Sequence, residues 1–197
     1  DLGYLGVYDG GDDGTAVFAD NDNFFFLADL TVSFDVRVPD DDSAAGFLII
    51  DRTVAGTNTY NEYAIIIERN AGSSDRLEIW YNSSISGSET NTSMAGIDIP
   101  EIDPSAFYHL TLSSDSSSNF GVFLYEGSAA TNPIGELAGV PLTDFSSGIM
   151  GIAANDTATF NTFSFTGNSV PAPGAFLLFG SGLLGLLGAR RRFSEPA

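Results

Sequence analysis

The chain has 197 residues, no cysteine and a formal net charge of −19. Without cysteine it has neither a disulfide framework nor a thiolate metal site. Residues 1–169 have 25 acidic side chains against four arginines, and so acidic a surface repels phosphate backbones. We therefore expect no nucleic-acid binding, and we keep cations, cationic protein surfaces and neutral glycans as partners.

The N-terminal segment is rich in aspartate and glycine. The chain opens at Asp1 with mixed polar sequence, and we expect that an export signal has been removed from it. Carboxylate oxygens of the kind that Ca²⁺ prefers are offered here by Asp9, Asp12, Asp13, Asp20 and Asp22. The spacing matches no twelve-residue calcium loop, because phenylalanines follow where ligands are required. We keep calcium as a candidate cofactor, with a charged loop that aids solubility as the alternative, and expect no other cofactor.

Short apolar or alternating runs, separated by turn residues at even spacing, predict an all-β antiparallel β-sandwich, or a barrel, over residues 1–169. The predicted strands are Thr15–Ala19, Leu30–Val38, Gly46–Asp51, Glu62–Arg69, Arg76–Tyr81, Tyr108–Ser113, Phe120–Glu126, Gly148–Ala153 and Phe160–Thr166. Alternation along Leu30–Val38 places Thr31, Ser33, Asp35 and Arg37 on a face that points outward or lines a concave surface. Tyr63–Ile67 is apolar throughout, which predicts a strand covered on both sides.

The order of these strands resembles the laminin-G or concanavalin-like jelly roll. The segments that resemble it are Thr31–Pro39, Phe107–Leu112, Val122–Gly127, Gly148–Ile152 and Phe163–Phe165. The resemblance spans most of residues 24–166. It implies a binding module for glycans or proteins, often with bound Ca²⁺.

The sequence offers little catalytic chemistry. His109 is the only histidine and is predicted to be a packed strand residue, which leaves no second histidine for a zinc site. Glu78-Ile79-Trp80 resembles the first half of a glucanase motif found on this jelly roll, but Trp80 stands where the aspartate is needed. No second glutamate follows on the same strand face, and glycoside hydrolysis needs paired carboxyls. We therefore expect no enzymatic activity.

Four aromatic residues are candidates for a sugar-stacking platform, because aromatic faces pack against the C–H face of pyranose rings. They are Tyr60, Tyr63, Trp80 and Tyr81. The alternative is that these side chains belong to the hydrophobic core.

The C-terminal segment predicts a transmembrane helix. Twenty uncharged residues, Val170–Ala189, precede Arg190, Arg191 and Arg192, and a helix of that length spans about 30 Å, the thickness of a bilayer core. The positive-inside rule places the arginines in the cytoplasm and the acidic domain outside. This predicts an extracytoplasmic domain at 1–169, a transmembrane segment at 170–192 and a short cytoplasmic tail at 193–197.

One face of the predicted helix has small side chains, at Ser181, Gly182, Gly185 and Ala189. Small residues at this spacing allow another helix to approach closely. A glycine-rich helix that faces only lipid is the alternative.

The tail also resembles the PEP-CTERM type of C-terminal sorting signal of Gram-negative bacteria. The resemblance rests on Val170-Pro171-Ala172-Pro173, the apolar stretch that contains Phe179–Leu186, and the arginine cluster. Ala172 stands where the name-giving glutamate would be, as in VPxP-like variants. The resemblance covers the last 28 residues and implies an exported protein that an exosortase cleaves near the prolines, with a link to exopolysaccharide or biofilm matrix.

Two functional hypotheses follow. The first is a non-catalytic, membrane-anchored structural subunit, whose sandwich and single helix pack against other transmembrane subunits of a larger complex, such as an energy-transducing one. The alternative is a cell-surface or matrix protein that is sorted by its tail and binds glycan, with or without Ca²⁺. Both predict a single-pass protein of the inner membrane of a Gram-negative-type bacterium, with the N-terminal domain in the periplasm and the C-terminus in the cytoplasm.

Overall fold

The predicted antiparallel sandwich is confirmed by the computed structural model, which describes residues 4–9, 14–19, 24–41, 43–51, 60–85, 88–144, 146–155 and 158–170. Over these residues the chain forms fourteen strands in two antiparallel sheets. The strands are β1 (Tyr4–Asp9), β2 (Gly14–Ala19), β3 (Phe24–Phe26), β4 (Thr31–Arg37), β5 (Ala44–Asp51), β6 (Tyr60–Glu68), β7 (Asp75–Ile85), β8 (Ser88–Ile99), β9 (Tyr108–Ser114), β10 (Asn119–Tyr125), β11 (Gly135–Pro141), β12 (Ser147–Asn155), β13 (Thr159–Thr166) and β14 (Ser169–Val170).

The two sheets differ in size. The larger has the strand order β1-β2-β12-β5-β6-β7-β8, and β3 pairs with β12 and with β14 beside this path. The smaller has the order β11-β10-β9-β4-β13. Among the described strands, β1 and β8 end the path of the larger sheet, and β11 and β13 end the smaller one. Strands β5, β6 and β7 lie in the interior of the larger sheet.

The core lies between the sheets and is built from alternate residues of each strand. Along β4 the buried residues are Val32, Phe34 and Val36, which confirms the predicted outward face at Thr31, Ser33, Asp35 and Arg37. The ring of Phe34 lies 6.5 Å from that of Phe47 on the opposite sheet and 5.8 Å from that of Phe160. Aromatic packing at this separation joins the two sheets.

The strand predicted to be covered on both sides is β6. Its inward residues Tyr63, Ile65 and Ile67 are fully buried, and on the outer face Ala64 is buried and Ile66 half-buried. Ala64 belongs to a second apolar cluster with Leu48, Ile50 and Ile149, against which Ile66, Trp80 and Ala153 pack. The larger sheet is therefore apolar on its inner face and over part of its outer face.

One end of the sandwich is held by two buried charged residues. Asp75 accepts hydrogen bonds from the backbone amides of Asn70, at 2.9 Å, and Ile102, at 2.6 Å. It thereby fixes the loop before β7 and the loop after β8. The guanidinium of Arg69 donates to the carbonyl of Pro39, at 2.7 Å, and pairs with Asp41, at 2.6 Å. These contacts satisfy backbone groups that the strand ladders leave open.

We predict that Asp75→Asn lowers the free energy of unfolding by about 1–3 kcal/mol, because an amide offers one acceptor oxygen where two backbone N–H groups now donate. Urea unfolding measures the change. The control is Glu101→Gln, which neutralises an exposed carboxylate near the same end of the sandwich. Equal stability of the two variants would contradict this role for Asp75.

Candidate functional site

Strand β7 presents four polar or aromatic side chains on the outer face of the larger sheet. Its inward residues Leu77 and Ile79 are fully buried in the core. Since side chains alternate along a strand, Arg76, Glu78, Trp80 and Asn82 share the opposite face. Trp80 is half-buried and packs against the outer apolar cluster.

The neighbouring strands complete this face. On β6, Glu62 pairs with Asn82, Ala64 with Trp80 and Glu68 with Arg76. On β8, Asp98 pairs with Arg76, and the register shifts between Ile79 and Trp80. Bulges of this kind re-aim side chains next to binding sites. We call this group the Trp80 surface, and its members are Glu62, Glu68, Arg76, Glu78, Trp80, Asn82 and Asp98.

One hydrogen bond, to a carboxylate that is itself paired, holds the indole ring of Trp80 in one orientation. Its Nε1 donates to Oε2 of Glu78 at 2.6 Å. Glu78 is 1% exposed, and its other carboxylate oxygen forms an ion pair with Nη1 of Arg76. Nε of Arg76 lies 3.4 Å from the carboxylate of Asp98. A buried carboxylate is tolerated when it is paired and accepts hydrogen bonds, so Glu78 positions both Trp80 and Arg76.

A second polar contact lies on the other side of the indole. The amide nitrogen of Asn82 donates to Oε1 of Glu62 at 3.0 Å. On this surface the Trp80 indole therefore lies between two carboxylates. That of Glu78 is paired with the Arg76 guanidinium, and that of Glu62 with the Asn82 amide. Such a combination of ring face and hydrogen-bonding groups suits a polyhydroxylated ligand.

On the outer face of β7, Glu78 is the only carboxylate. Glycoside hydrolysis places two carboxyl groups about 5–9.5 Å apart. Asn82 stands four residues after Glu78 on the same face of β7, so the second glutamate of the resembled glucanase motif does not follow there.

The structure does not bring the four candidate stacking residues onto one face. Trp80 lies on the outer face, whereas Tyr63 is fully buried between the sheets and its ring lies 5.4 Å from that of Tyr81. Residues 80 and 81 are adjacent on a strand, so they must point in opposite directions. Tyr60 pairs with Ser84 in β7, and its side chain lies outside the described residues. Of the described side chains, only Trp80 is therefore left in the predicted aromatic platform, and the place of Tyr60 in it stays a prediction.

Tyr63 has a structural role instead. Its hydroxyl donates to Oδ2 of Asp144 and accepts from the amide of Asp144, both at 2.8 Å. Burial, followed by the hydrogen bond to the Asp144 side chain, raises the pKa of the Tyr63 hydroxyl well above its ordinary value. The hydroxyl stays protonated and ties the loop between β11 and β12 to β6.

His109 lies on the outer face of the smaller sheet rather than in the core. Its Nδ1 is 2.7 Å from Oδ1 of Asp35, and its ring lies 6.3 Å from that of Tyr125. Both side chains of the pair are largely, but not fully, covered. Sequence alternation along β4 predicted the outward position of Asp35, but it gave no signal for the histidine partner.

The predicted calcium ligands and the predicted transmembrane helix fall mostly outside the described residues. Asp12, Asp13, Asp20 and Asp22 are not described, and only the backbone of Asp9 is, in β1. Within the described ranges, no three or more histidine, cysteine, aspartate or glutamate side chains are grouped to hold a metal ion. In the same ranges, no helix has the length and apolarity needed to cross a membrane. Residues 171–197, with the small helix face and the arginines, remain sequence predictions.

We predict that Arg76→Gln lowers the free energy of unfolding by about 1–3 kcal/mol, because it leaves the buried Glu78 carboxylate without its cationic partner. The range allows for the solvent exposure of Arg76, which is 40%. The double variant Arg76→Gln, Glu78→Gln should lose less stability than the sum of its single variants, since residue 78 is then uncharged. Additive losses in denaturant titrations would show that the two residues are not coupled.

Comparisons with known proteins agree with the sheet architecture and with the tail. Residues 169–192 match the PEP-CTERM protein-sorting motif, which confirms the predicted signal. No curated protein sequence matches the chain.

The carbohydrate binding module CBM66 from Bacillus subtilis is similar in structure, with a TM-score of 0.50 and 16% identity over 79% of this chain and 83% of that one.

Two further structures have the same fold. The exoplasmic/lumenal domain of VIP36, in a form bound to Ca²⁺ and Man3GlcNAc, matches with a TM-score of 0.53 and 13% identity, over 80% of this chain and 75% of that one. A protein of unknown function with a galectin-like fold, from Bacillus subtilis, matches with a TM-score of 0.50 and 13% identity, over 84% of this chain and 87% of that one. The predicted jelly-roll architecture is thereby confirmed.

Proposed function

We propose that this chain is an exported, non-catalytic protein of a bacterial cell surface or extracellular matrix, which is directed there by its C-terminal motif and binds glycan through the Trp80 surface. The observation that supports the binding site most directly is the Trp80 indole, fixed on a sheet face between hydrogen-bonding side chains. This is the second of the two sequence hypotheses.

The chemistry of the Trp80 surface fits a sugar. One face of a pyranose ring presents C–H groups that pack on an indole, while its hydroxyls donate and accept hydrogen bonds. Glu78 and Asn82 are the next residues on the same face of β7, each about 7 Å from Trp80 along the strand. Glu78 is 1% exposed, so a ring stacked on Trp80 would meet the guanidinium of Arg76 on that side and the amide of Asn82 on the other.

The comparisons support the proposal at the level of fold and of sorting. Two of the similar structures are a carbohydrate binding module and a lumenal domain with bound Man3GlcNAc. The PEP-CTERM match supports export and association with the membrane before processing. Within this proposal, residues 1–169 form the extracytoplasmic domain, 170–192 the membrane segment and 193–197 a cytoplasmic tail, in the inner membrane until processing.

The first sequence hypothesis, a structural subunit of a larger membrane complex, has no support from the described residues or the comparisons. Its proposed helix contacts at Ser181, Gly182, Gly185 and Ala189 lie in the segment that the structure does not describe. Calcium remains a proposed ligand of the N-terminal aspartates, and it enters the binding experiment as a variable.

We predict that Trp80→Ala weakens glycan binding at least about tenfold, because it removes a stacking partner worth roughly 1.5 kcal/mol or more. The full chain in mild detergent is first screened on a glycan array, with Ca²⁺ and with a chelator, and the Kd of each hit is then measured by calorimetry. Trp80 is the only tryptophan, so its fluorescence reports binding directly.

The matched control is Tyr125→Ala, which removes a half-buried aromatic side chain from the outer face of the smaller sheet. It should leave the Kd unchanged, and Trp80→Phe should retain part of the affinity. If Trp80→Ala and Tyr125→Ala bind alike, the site is not on β7. If no array glycan binds with or without Ca²⁺, the glycan proposal fails.

Processing is tested by the intact mass of the protein from the host's cell surface. We predict that the mature product lacks most of residues 171–197, because the sorting motif covers 169–192. A variant with Pro171→Ala and Pro173→Ala should keep its full mass and remain in the membrane fraction. Recovery of the unaltered chain with its complete tail at the cell surface would contradict processing.

A further inference from the structure

The last described residues are held to the sandwich by one short strand pairing, that of β14 with β3. We propose that β14 must leave β3 before the tail is removed, and that the sorting peptidase, the enzyme that cuts the tail, binds the backbone of residues 168–170 in place of β3. This inference rests on the proposed processing of the tail. It adds the conformation in which the chain is cut.

The folded sandwich and the predicted membrane segment meet at Val170. This residue ends β14 and pairs with Phe24 of β3. It is also the first of the twenty uncharged residues, Val170–Ala189, that predict a membrane helix. Enzymes that bind a peptide as an added strand need its backbone N–H and C=O groups free. While β14 is paired, the sheet ends where the predicted membrane segment begins, so release of β14 is what provides a free segment between the two.

Few bonds hold β14 in place. The amide of Phe26 donates to the carbonyl of Asn168 at 2.9 Å. The N–H groups of a strand point alternately to its two sides, so Phe24 is the next residue of β3 whose N–H faces β14. Pro171 and Pro173 have no N–H, so neither can donate to extend the ladder. Within the described part of the chain, β14 pairs with β3 alone.

Release of β14 leaves the rest of the sandwich paired. Strand β3 stays in the larger sheet, because Phe25 and Phe26 also pair with Gly148 and Ser147 of β12. On the other side, β13 pairs with β4 of the smaller sheet as far as Thr166. Release therefore requires movement of residues 167–170 and of the chain that follows them, but not of the core. Strands at the end of a domain open at a lower free energy than core strands do.

A disulfide across the pairing tests whether release is required. Phe25 and Ser169 lie directly opposite each other, and opposite residues of antiparallel strands come within reach of a disulfide. The chain has no cysteine, so a double variant with Phe25→Cys and Ser169→Cys has one possible internal disulfide. Pulse labelling in the host, followed by intact mass, measures how fast the shortened chain forms. The oxidised double variant should be cut at least about tenfold more slowly than either single variant, and a reductant should restore the rate.

A second variant weakens the pairing from outside the sorting motif. In the described register, Phe24 is the residue of β3 that pairs with β14 and not with β12, and proline is tolerated at the first residue of a strand. Phe24→Pro removes one donor to β14 and should speed processing by about two- to tenfold, the range that one backbone hydrogen bond gives. The matched control Phe24→Leu keeps the donor and should be cut at the rate of the unaltered chain. The fluorescence of Trp80 shows whether each variant is folded.

The outcomes separate this inference from the proposed processing. If the oxidised double variant is cut as fast as the single variants, or if Phe24→Pro is cut no faster than Phe24→Leu, β14 need not leave β3. The inference then fails and the proposed processing stands. If the unaltered chain is never shortened, the proposed processing itself fails. Phe24 lies outside the motif, so its two variants decide the question even where Ser169→Cys alone impairs recognition.

Discussion

The antiparallel register between β6 and β7 determines both faces of the larger sheet. It runs without interruption from Tyr60 opposite Ser84 to Glu68 opposite Arg76. A slip of one residue would exchange the two faces of a strand, so that Ile79 would face outward and Trp80 would enter the core. The buried residues Ile65, Ile67 and Leu77 oppose such a slip, because each would lose its place between the sheets. The core thus fixes the position of the candidate site.

The outer face of the larger sheet combines two kinds of surface. Over β12, β5 and part of β6 it is apolar and buried, and over β7 and β8 it is polar and more exposed, with Trp80 in contact with the apolar part. A buried carboxylate is expensive unless it is paired and hydrogen-bonded. Glu78 meets this requirement through Arg76 and the Trp80 indole. The same contacts that make its burial tolerable also limit the movement of the aromatic ring.

The sequence was sufficient to predict those parts of the fold in which burial follows a simple period. The alternation of β4 and the apolar run of β6 predicted their faces correctly. Strand β8 was missed because its first half, from Ser88 to Ser93, is polar and its exposed edge needs no apolar period. Strand β11 was missed because it has Gly139 in a left-handed conformation and ends at Pro141, which an edge strand tolerates.

The candidate site was only partly predictable for a related reason. Trp80 was found from its residue type, but its grouping with three tyrosines ignored strand alternation, which separates residues 80 and 81. The ion pair between Arg76 and Glu78 depends on side-chain conformations that the sequence does not specify. The tail motif was recognised from sequence alone because the order of prolines, apolar stretch and arginines is specific without any tertiary context.

The last described strand belongs to the sandwich and to the sorting motif at once. In β14, Ser169 pairs with Phe25 and Val170 with Phe24, and the preceding Asn168 accepts a hydrogen bond from the amide of Phe26 at 2.9 Å. The sorting motif begins at residue 169. No spacer therefore separates the folded sandwich from the motif that sorts it. If residues 169–192 were moved to another protein, this sandwich would lose β14. Strand β3 would then pair only with β12.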